Sequence, residues 1–241
     1  MYRSLDPSKL VETLVRLEAR IRERFPGSGL GRVCVELIDT ARTSATEAAR
    51  LARPSWPWRC AVGALILVGV WAQFAAARFL HLERVQADAD LIQLLEAAVN
   101  LLILFGGSVW FLLTVERRRK RDRALHALHG LRAFAHVIDM HQLTKDPTLA
   151  TKEHEPTAAS PAPAMSRYEL TRYLDYCAEM LALIGKLAAL YADEMRDPVV
   201  IDAVNDLESL TANLATKIWQ KITIVGASPV LAPPRGPTPS S

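Results

Sequence analysis

The chain has 241 residues, half of them hydrophobic, with 23% charged and a formal net charge of +3. That apolar content excludes an intrinsically disordered protein, and only three cysteines, far apart at Cys34, Cys60 and Cys177, exclude a disulfide-stapled secreted domain or a paired-cysteine metal or redox site. The charge is unevenly spread, net +4 over residues 1–59, +5 over 116–145 and −4 over 146–241, so the distal third is acidic and unsuited to nucleic acid.

Asp6-Pro7 is a helix start, a capping carboxylate followed by proline in the first turn. Leu10, Leu14, Leu17 and Ile21 follow at spacings of four, three and four, which predicts an amphipathic helix to about Arg24. Phe25-Pro26-Gly27-Ser28-Gly29 breaks it. A second helix is expected from about Leu30 to Ala52, with Val33, Leu37 and Ile38 on its apolar face. Pro54 and Pro57 close this N-terminal region of cytoplasmic helices, residues 1–58.

Residues 59–115 then contain two apolar runs. The first, Cys60 to Ala77, holds 18 uncharged residues between Arg59 and Arg78. The second runs from Leu91 to Val115, and its uncharged part from Ala97 holds 19. At a rise of about 1.5 Å per residue these reach about 27 and 28 Å, close to the roughly 30 Å hydrocarbon thickness of a bilayer. Neither has the polar face of a soluble helix, so the pair predicts a transmembrane hairpin with spans at about 59–78 and 93–115 and a short external loop.

Basic residues set the expected orientation. Arg50, Arg53 and Arg59 precede the first span, and six cations follow the second: Arg117, Arg118, Arg119, Lys120, Arg121 and Arg123. The loop between has only Arg78 and Arg84, against Glu83, Asp88 and Asp90. Both termini are therefore expected in the cytoplasm, with the first span acting as its own insertion signal. The six cations double as contacts for anionic lipid heads.

Three polar residues lie in the spans: Gln73, Glu96 and Asn100. Gln73 and Asn100 fall at similar depth and are expected to hydrogen-bond across the hairpin, where Gly69 and Gly106-Gly107 permit close approach. Glu96, Asn100, Gly107 and Thr114 share a stripe within about 40° at 100° per residue. It reads as a packing face with Glu96 in the headgroup zone, or as one wall of a pore.

Residues 116–145 continue the second span as a basic stalk helix with apolar Ala127, Leu131, Phe134, Ala135 and Ile138. His129 and His136 point away from that face, a candidate pH-sensitive interface because imidazole titrates near neutrality. The stalk histidines pair at metal-ligand spacing but too far apart to share one ion, so no metal is expected. Residues 146–166, with four prolines, read as a linker. Ser166 and Glu169 form a capping box opening a helical hairpin over 167–225. One seam is Leu170, Tyr173, Cys177, Leu181, Ile184, Ala188 and Tyr191; the other is Val200, Val204, Leu207, Thr211, Leu214, Ile218 and Ile222, and the two are expected to face each other as an antiparallel hairpin docked on the stalk or on a second copy. Residues 226–241 read as a disordered tail.

The segments from His136 to Pro147, Arg172 to Cys177 and Lys217 to Lys221 resemble an uncharacterised bacterial family of two-pass membrane proteins, a likeness that implies the hairpin layout and no activity, substrate or site. The layout is also similar to that of membrane effectors of bacterial conflict systems. The expected fold is all-α, an integral membrane hairpin with a cytoplasmic helical bundle. The expected role is an inner-membrane structural or interaction protein, whose cytoplasmic helices self-associate or recruit a partner through the seams of 170–191 and 200–222. A homo-oligomeric channel lined by the second span is the alternative, and a pH or metal sensor in the stalk is more distant. No phosphate-binding glycine loop, nucleophile–base pair or carboxylate pair marks an enzyme or a cofactor site.

Overall fold

The computed structural model describes residues 5–53, 56–79, 88–145 and 165–227. It is all-helical, with no strand among the described residues. Six helices follow in order among the described residues: α1 (Pro7–Arg24), α2 (Gly29–Ala52), α3 (Trp56–Phe79), α4 (Asp88–Leu143), α5 (Arg167–Met195) and α6 (Pro198–Ala227). Most of the predicted external loop, of the 146–166 linker and of the tail lies outside the described residues. The chain divides into two compact units, one from Met1–Ala48 and Leu125–Ser241, the other Ala49–Ala124.

In the first unit, α1 starts where Asp6 accepts hydrogen bonds from the Ser8 backbone N–H (2.9 Å) and hydroxyl (2.6 Å). Those bonds hold the Asp6 carboxyl below its usual pKa. Leu10, Leu14, Leu17 and Ile21 form the buried stripe of α1. The turn after it needs a residue at positive φ, which Gly27 supplies at 71°. On α2, Leu30, Val33, Cys34, Leu37, Ile38 and Ala41 are buried. On α4, Leu128, Leu131, Ala135 and Ile138 are buried, and Gly130 does not interrupt the helix. A Cβ on Gly29 would stand 2.5 Å from His141 Cε1, so the imidazole would have to move to admit a larger residue at the start of α2.

The centre of this unit is α5, buried along nearly its whole length and on most of its circumference. The capping box is present: the Ser166 hydroxyl accepts from the Glu169 N–H, and the Glu169 carboxylate accepts from the Ser166 N–H at 2.8 Å. These bonds lower the Glu169 pKa. Arg196 ends α5 in the left-handed region (φ 48°), and Asp197 caps α6 by accepting from the Val199 N–H at 3.0 Å. The return is antiparallel, for Arg167 donates to the Gly226 carbonyl and Gly185 lies beside Thr211.

All seven positions of the α5 seam are buried, as are Val200, Val204, Leu207, Thr211, Leu214 and Ile218 of α6. The two seams face each other, as expected of an antiparallel hairpin, so the apolar seam positions of 170–191 and 200–222 are covered within the chain.

The second unit contains α3 and the first part of α4. Pro57 sits in the first turn of α3, where its missing N–H costs nothing. The Trp58 indole N–H donates to the Leu112 carbonyl at 3.1 Å, and the Phe105 ring lies against Gly69. Gly69 is thus the close-approach glycine of the pair, whereas a Cβ on Gly106 or Gly107 would meet open space. The expectation that all three glycines serve one contact holds for Gly69 alone.

Candidate functional site

Two features of this chain carry unusual chemistry. The first is the surface of the second unit. Two helical stretches, within Gly29–Ala72 and Ala98–Leu143, are long and apolar enough to cross a membrane by length and composition. In their most apolar windows almost nothing is buried, 6% of one and none of the other. Large side chains are left bare: Leu67 (72% exposed), Trp71 (71%), Leu104 (72%) and Trp110 (76%). A core helix of a water-soluble protein buries such residues, and a soluble monomer rarely exposes so large a contiguous apolar patch.

Glu96 and Asn100 are exposed on α4, and the Gln73 side chain lies outside the described residues. The expected bond between Gln73 and Asn100 therefore has no described geometry. At the basic end of α4, Arg117, Arg118, Arg119 and Arg123 are exposed. Lys120 is half-buried; it pairs with Glu116 at 3.1 Å and donates to the Arg53 carbonyl at 2.8 Å. Arg121 is also half-buried. The Arg119 guanidinium lies 5.8 Å from the Trp58 ring centre, a cation–π contact. The cations thus divide: some turn to solvent, while Lys120 and Arg119 fasten α4 to the segment entering α3.

The second feature belongs to the first unit and was missed from sequence. Arg20 and Arg24 on α1 meet Tyr168, Arg172 and Tyr176 on α5. Arg20 binds Glu179 through both carboxylate oxygens, at 2.6 and 3.3 Å, and Arg172 pairs with Asp175 at 2.7 Å. Arg24 lies 5.1 Å from the Tyr168 ring centre and Arg172 lies 5.0 Å from that of Tyr176. Phe25 packs edge-on against Tyr173 at 5.4 Å, and Lys145 covers Tyr173 from 5.3 Å. Hydrogen bonds to Tyr168 and Tyr176 raise the Arg24 pKa further. The signal was present as Tyr168-Arg172-Tyr176 and Arg20-Arg24, both at helical spacing. Arg20 and Arg172 are matched by carboxylates and Arg24 lies over the Tyr168 ring, so the cluster is a clamp that ties α1 to α5.

His129 and His136 are exposed on α4, and neither approaches the clamp. His141 is the histidine that the fold engages, against Gly29; burial first, then Lys145 and Arg32, lowers its pKa below the usual 6.5. Among the described residues no three His, Cys, Asp or Glu side chains are placed to hold a metal ion. Cys34 and Cys177 are buried, and burial pushes each thiol up to about 12. No protein-family model, curated protein or solved structure matches this chain.

Proposed function

We propose that this chain is a two-span inner-membrane protein that anchors a cytoplasmic helical bundle and acts through protein contacts rather than catalysis. The observation that carries the reading is the bare apolar surface of α3 and α4, which in water has no counterpart to cover it. In a bilayer the same surface is satisfied by lipid, and the backbone groups of both helices are satisfied internally. The clusters around Arg53 and Arg59 and from Arg117 to Arg123 then lie on the cytoplasmic side, against anionic heads, and place both termini there.

The structural role is supported by what the first unit does with its chemistry. Its arginines and tyrosines are used in a clamp, and its thiols are buried with raised pKa values. Extraction of membranes at alkaline pH, with reporter fusions at residues 85 and 241, tests the reading. The protein should stay in the membrane, with an external reporter at 85 and a cytoplasmic one at 241. Release into the supernatant, or a cytoplasmic reporter at 85, ends it.

A channel is the second reading, favoured by the outward polar stripe of Glu96, Asn100, Gly107 and Thr114 on α4. Two spans enclose no lumen, so it needs several chains. Ion flux from liposomes that changes on Glu96→Ala is its expected signature, and tight vesicles exclude it.

A further inference from the structure

The polar stripe of α4 faces away from its own hairpin. Toward α3, the helix presents Phe105, Val109 and Leu112, all half-buried, with Phe105 against Gly69. At about 100° per residue these three fall within about 60° of one another. Glu96, Asn100, Ile103, Gly107, Trp110 and Thr114, spaced four, three, four, three and four, are centred about 180° round the helix. The first five are exposed and Thr114 is half-buried. Beside the stripe, Ile103, Leu104, Gly107, Ser108, Phe111 and Leu112 line a shallow groove.

This is the reverse of what a bilayer tolerates at rest. Polar side chains in spans turn toward protein or water, and apolar ones toward lipid. Here the apolar face meets α3 while the amide of Asn100 faces outward. A 3.5-residue repeat is also the spacing that keeps one seam in contact with a second helix crossing at about 20°.

We propose that the stripe docks against the same stripe of a second copy, giving a parallel pair about a two-fold axis. The inference rests on the membrane reading above. The occupant follows from the chemistry of the stripe. An amide donates and accepts, so Asn100 can satisfy Asn100 of the other copy across the axis. Gly107 adds no side chain where the helices cross, and a Cβ there meets nothing in the single chain. Glu96 lies at the outer end, where water and headgroups hydrate it. A symmetric contact uses one patch on each chain, and α4 offers one such stripe, so its occupation by a neighbour leaves none for building a ring.

The test uses the full chain, floated with phosphatidylcholine–phosphatidylglycerol liposomes and then weighed by sedimentation equilibrium in density-matched detergent. The expected result is flotation and a monomer–dimer equilibrium. Asn100→Leu should raise the dissociation constant about tenfold, and Gly107→Ile by more, with Asn100→Gln close to wild type. Leu102→Ala, about 120° from the stripe, should change nothing. A second measurement does not need the weakened variants to fold. In a Cys60→Ser background, Ile103→Cys should form an intermolecular disulfide in liposomes, and Leu102→Cys should not. A floating protein that stays monomeric overturns the pairing and leaves the membrane reading standing. A dimer indifferent to Asn100→Leu and Gly107→Ile, a closed ring of more than two chains, or cross-linking at Leu102→Cys but not Ile103→Cys also overturns it. A protein that fails to float removes the membrane reading and the pairing together.

Discussion

Leu67→Arg separates a membrane helix from an unusual soluble one, because the two settings give its effect opposite signs. Leu67 is 72% exposed and lies eighth in the 18-residue apolar run, close to its centre. It stands about 130° round α3 from Val62, Ile66 and Gly69, the positions that turn toward α4. No neighbour in the chain is lost by replacing it. In water, exchanging an exposed leucine for arginine is neutral within about 0.5 kcal/mol and raises solubility. At the centre of a bilayer, leucine contributes about −0.3 to −0.6 kcal/mol to insertion and arginine opposes it by about 2.5 to 3.5. The difference is about 3 to 4 kcal/mol, roughly 100- to 1,000-fold in the insertion equilibrium. Translation with microsomes, using a glycosylation acceptor placed in the loop after α3, reads the inserted fraction. Wild type should be glycosylated and Leu67→Arg largely not, with Arg78→Leu behaving as wild type. Equal glycosylation of Leu67→Arg and wild type would refute the span. So would a Leu67→Arg protein that is soluble, folded and monomeric.

Four further outcomes follow from the first unit. Leu181→Ala removes a fully buried side chain from α5 and should cost about 2 to 5 kcal/mol in urea unfolding, with Leu207→Ala similar, since both act on the fold before any partner; an unchanged midpoint would return those seams to the surface. Ser166→Ala breaks the capping box and should cost about 1 kcal/mol, read as a shift in thermal midpoint, whereas Thr216→Ala on exposed α6 should not move it. Cys34 and Cys177, with thiols pushed up to about 12, carry about one part in ten thousand thiolate at pH 8. Both should resist iodoacetamide until the chain unfolds, and rapid labelling of either in the folded state would contradict the packing of α2 or α5. His141 has a folded pKa below its usual 6.5, so the unfolded chain binds more protons. Stability should be full above pH 6.5 and fall as pH drops through the lowered value. His141→Gln should flatten that slope, and an equal slope in both proteins would place its origin elsewhere.

Much of the helical layout could be read from sequence because it is written in local chemistry. Asp6-Pro7, Ser166 with Glu169, and Asp197-Pro198 each start a helix within one residue of the expected place, since a cap satisfies backbone donors that lie beside it in the chain. The seams of α5 and α6 were legible for a similar reason, as spacing of three and four decides which side chains share a face. Which face meets which neighbour is not local, and there the sequence is a weaker guide. The α5 and α6 seams pair with each other as their spacing implied, but the extent to which the rest of the unit surrounds α5 could not be read from spacing. The expected Gln73–Asn100 bond rests on depth in the span, which can be counted along the sequence, whereas rotation about the helix axis cannot, and the Gln73 side chain lies outside the described residues. The clamp of Arg20, Arg24, Tyr168, Arg172 and Tyr176 was invisible on the same account. Each half has ordinary helical spacing, and only the packing of α1 on α5 brings 159 residues of separation down to the Arg20–Glu179 bond.

That distinction bears on function. Within the first unit, most polar groups that packing brings together are satisfied, guanidinium with carboxylate, ring with cation and cap with backbone, while the buried Gln142 Oε1 has no hydrogen-bond partner among the described residues. The second unit is the reverse, with apolar rings exposed and an amide at Asn100 turned away from the one helix it has for company. Most of the exposed large apolar side chains lie in the second unit, and that is where a covering partner would belong. On the proposed membrane reading, lipid would account for Leu67, Trp71 and Leu104, because it asks nothing of them but contact. It does not account for Asn100, whose donor and acceptor need a polar match at that depth. On the proposed reading the bilayer and the second copy are separate requirements of the hairpin, which is why Leu67→Arg on α3 should impair insertion while Asn100→Leu on α4 should leave insertion intact and loosen only the pair.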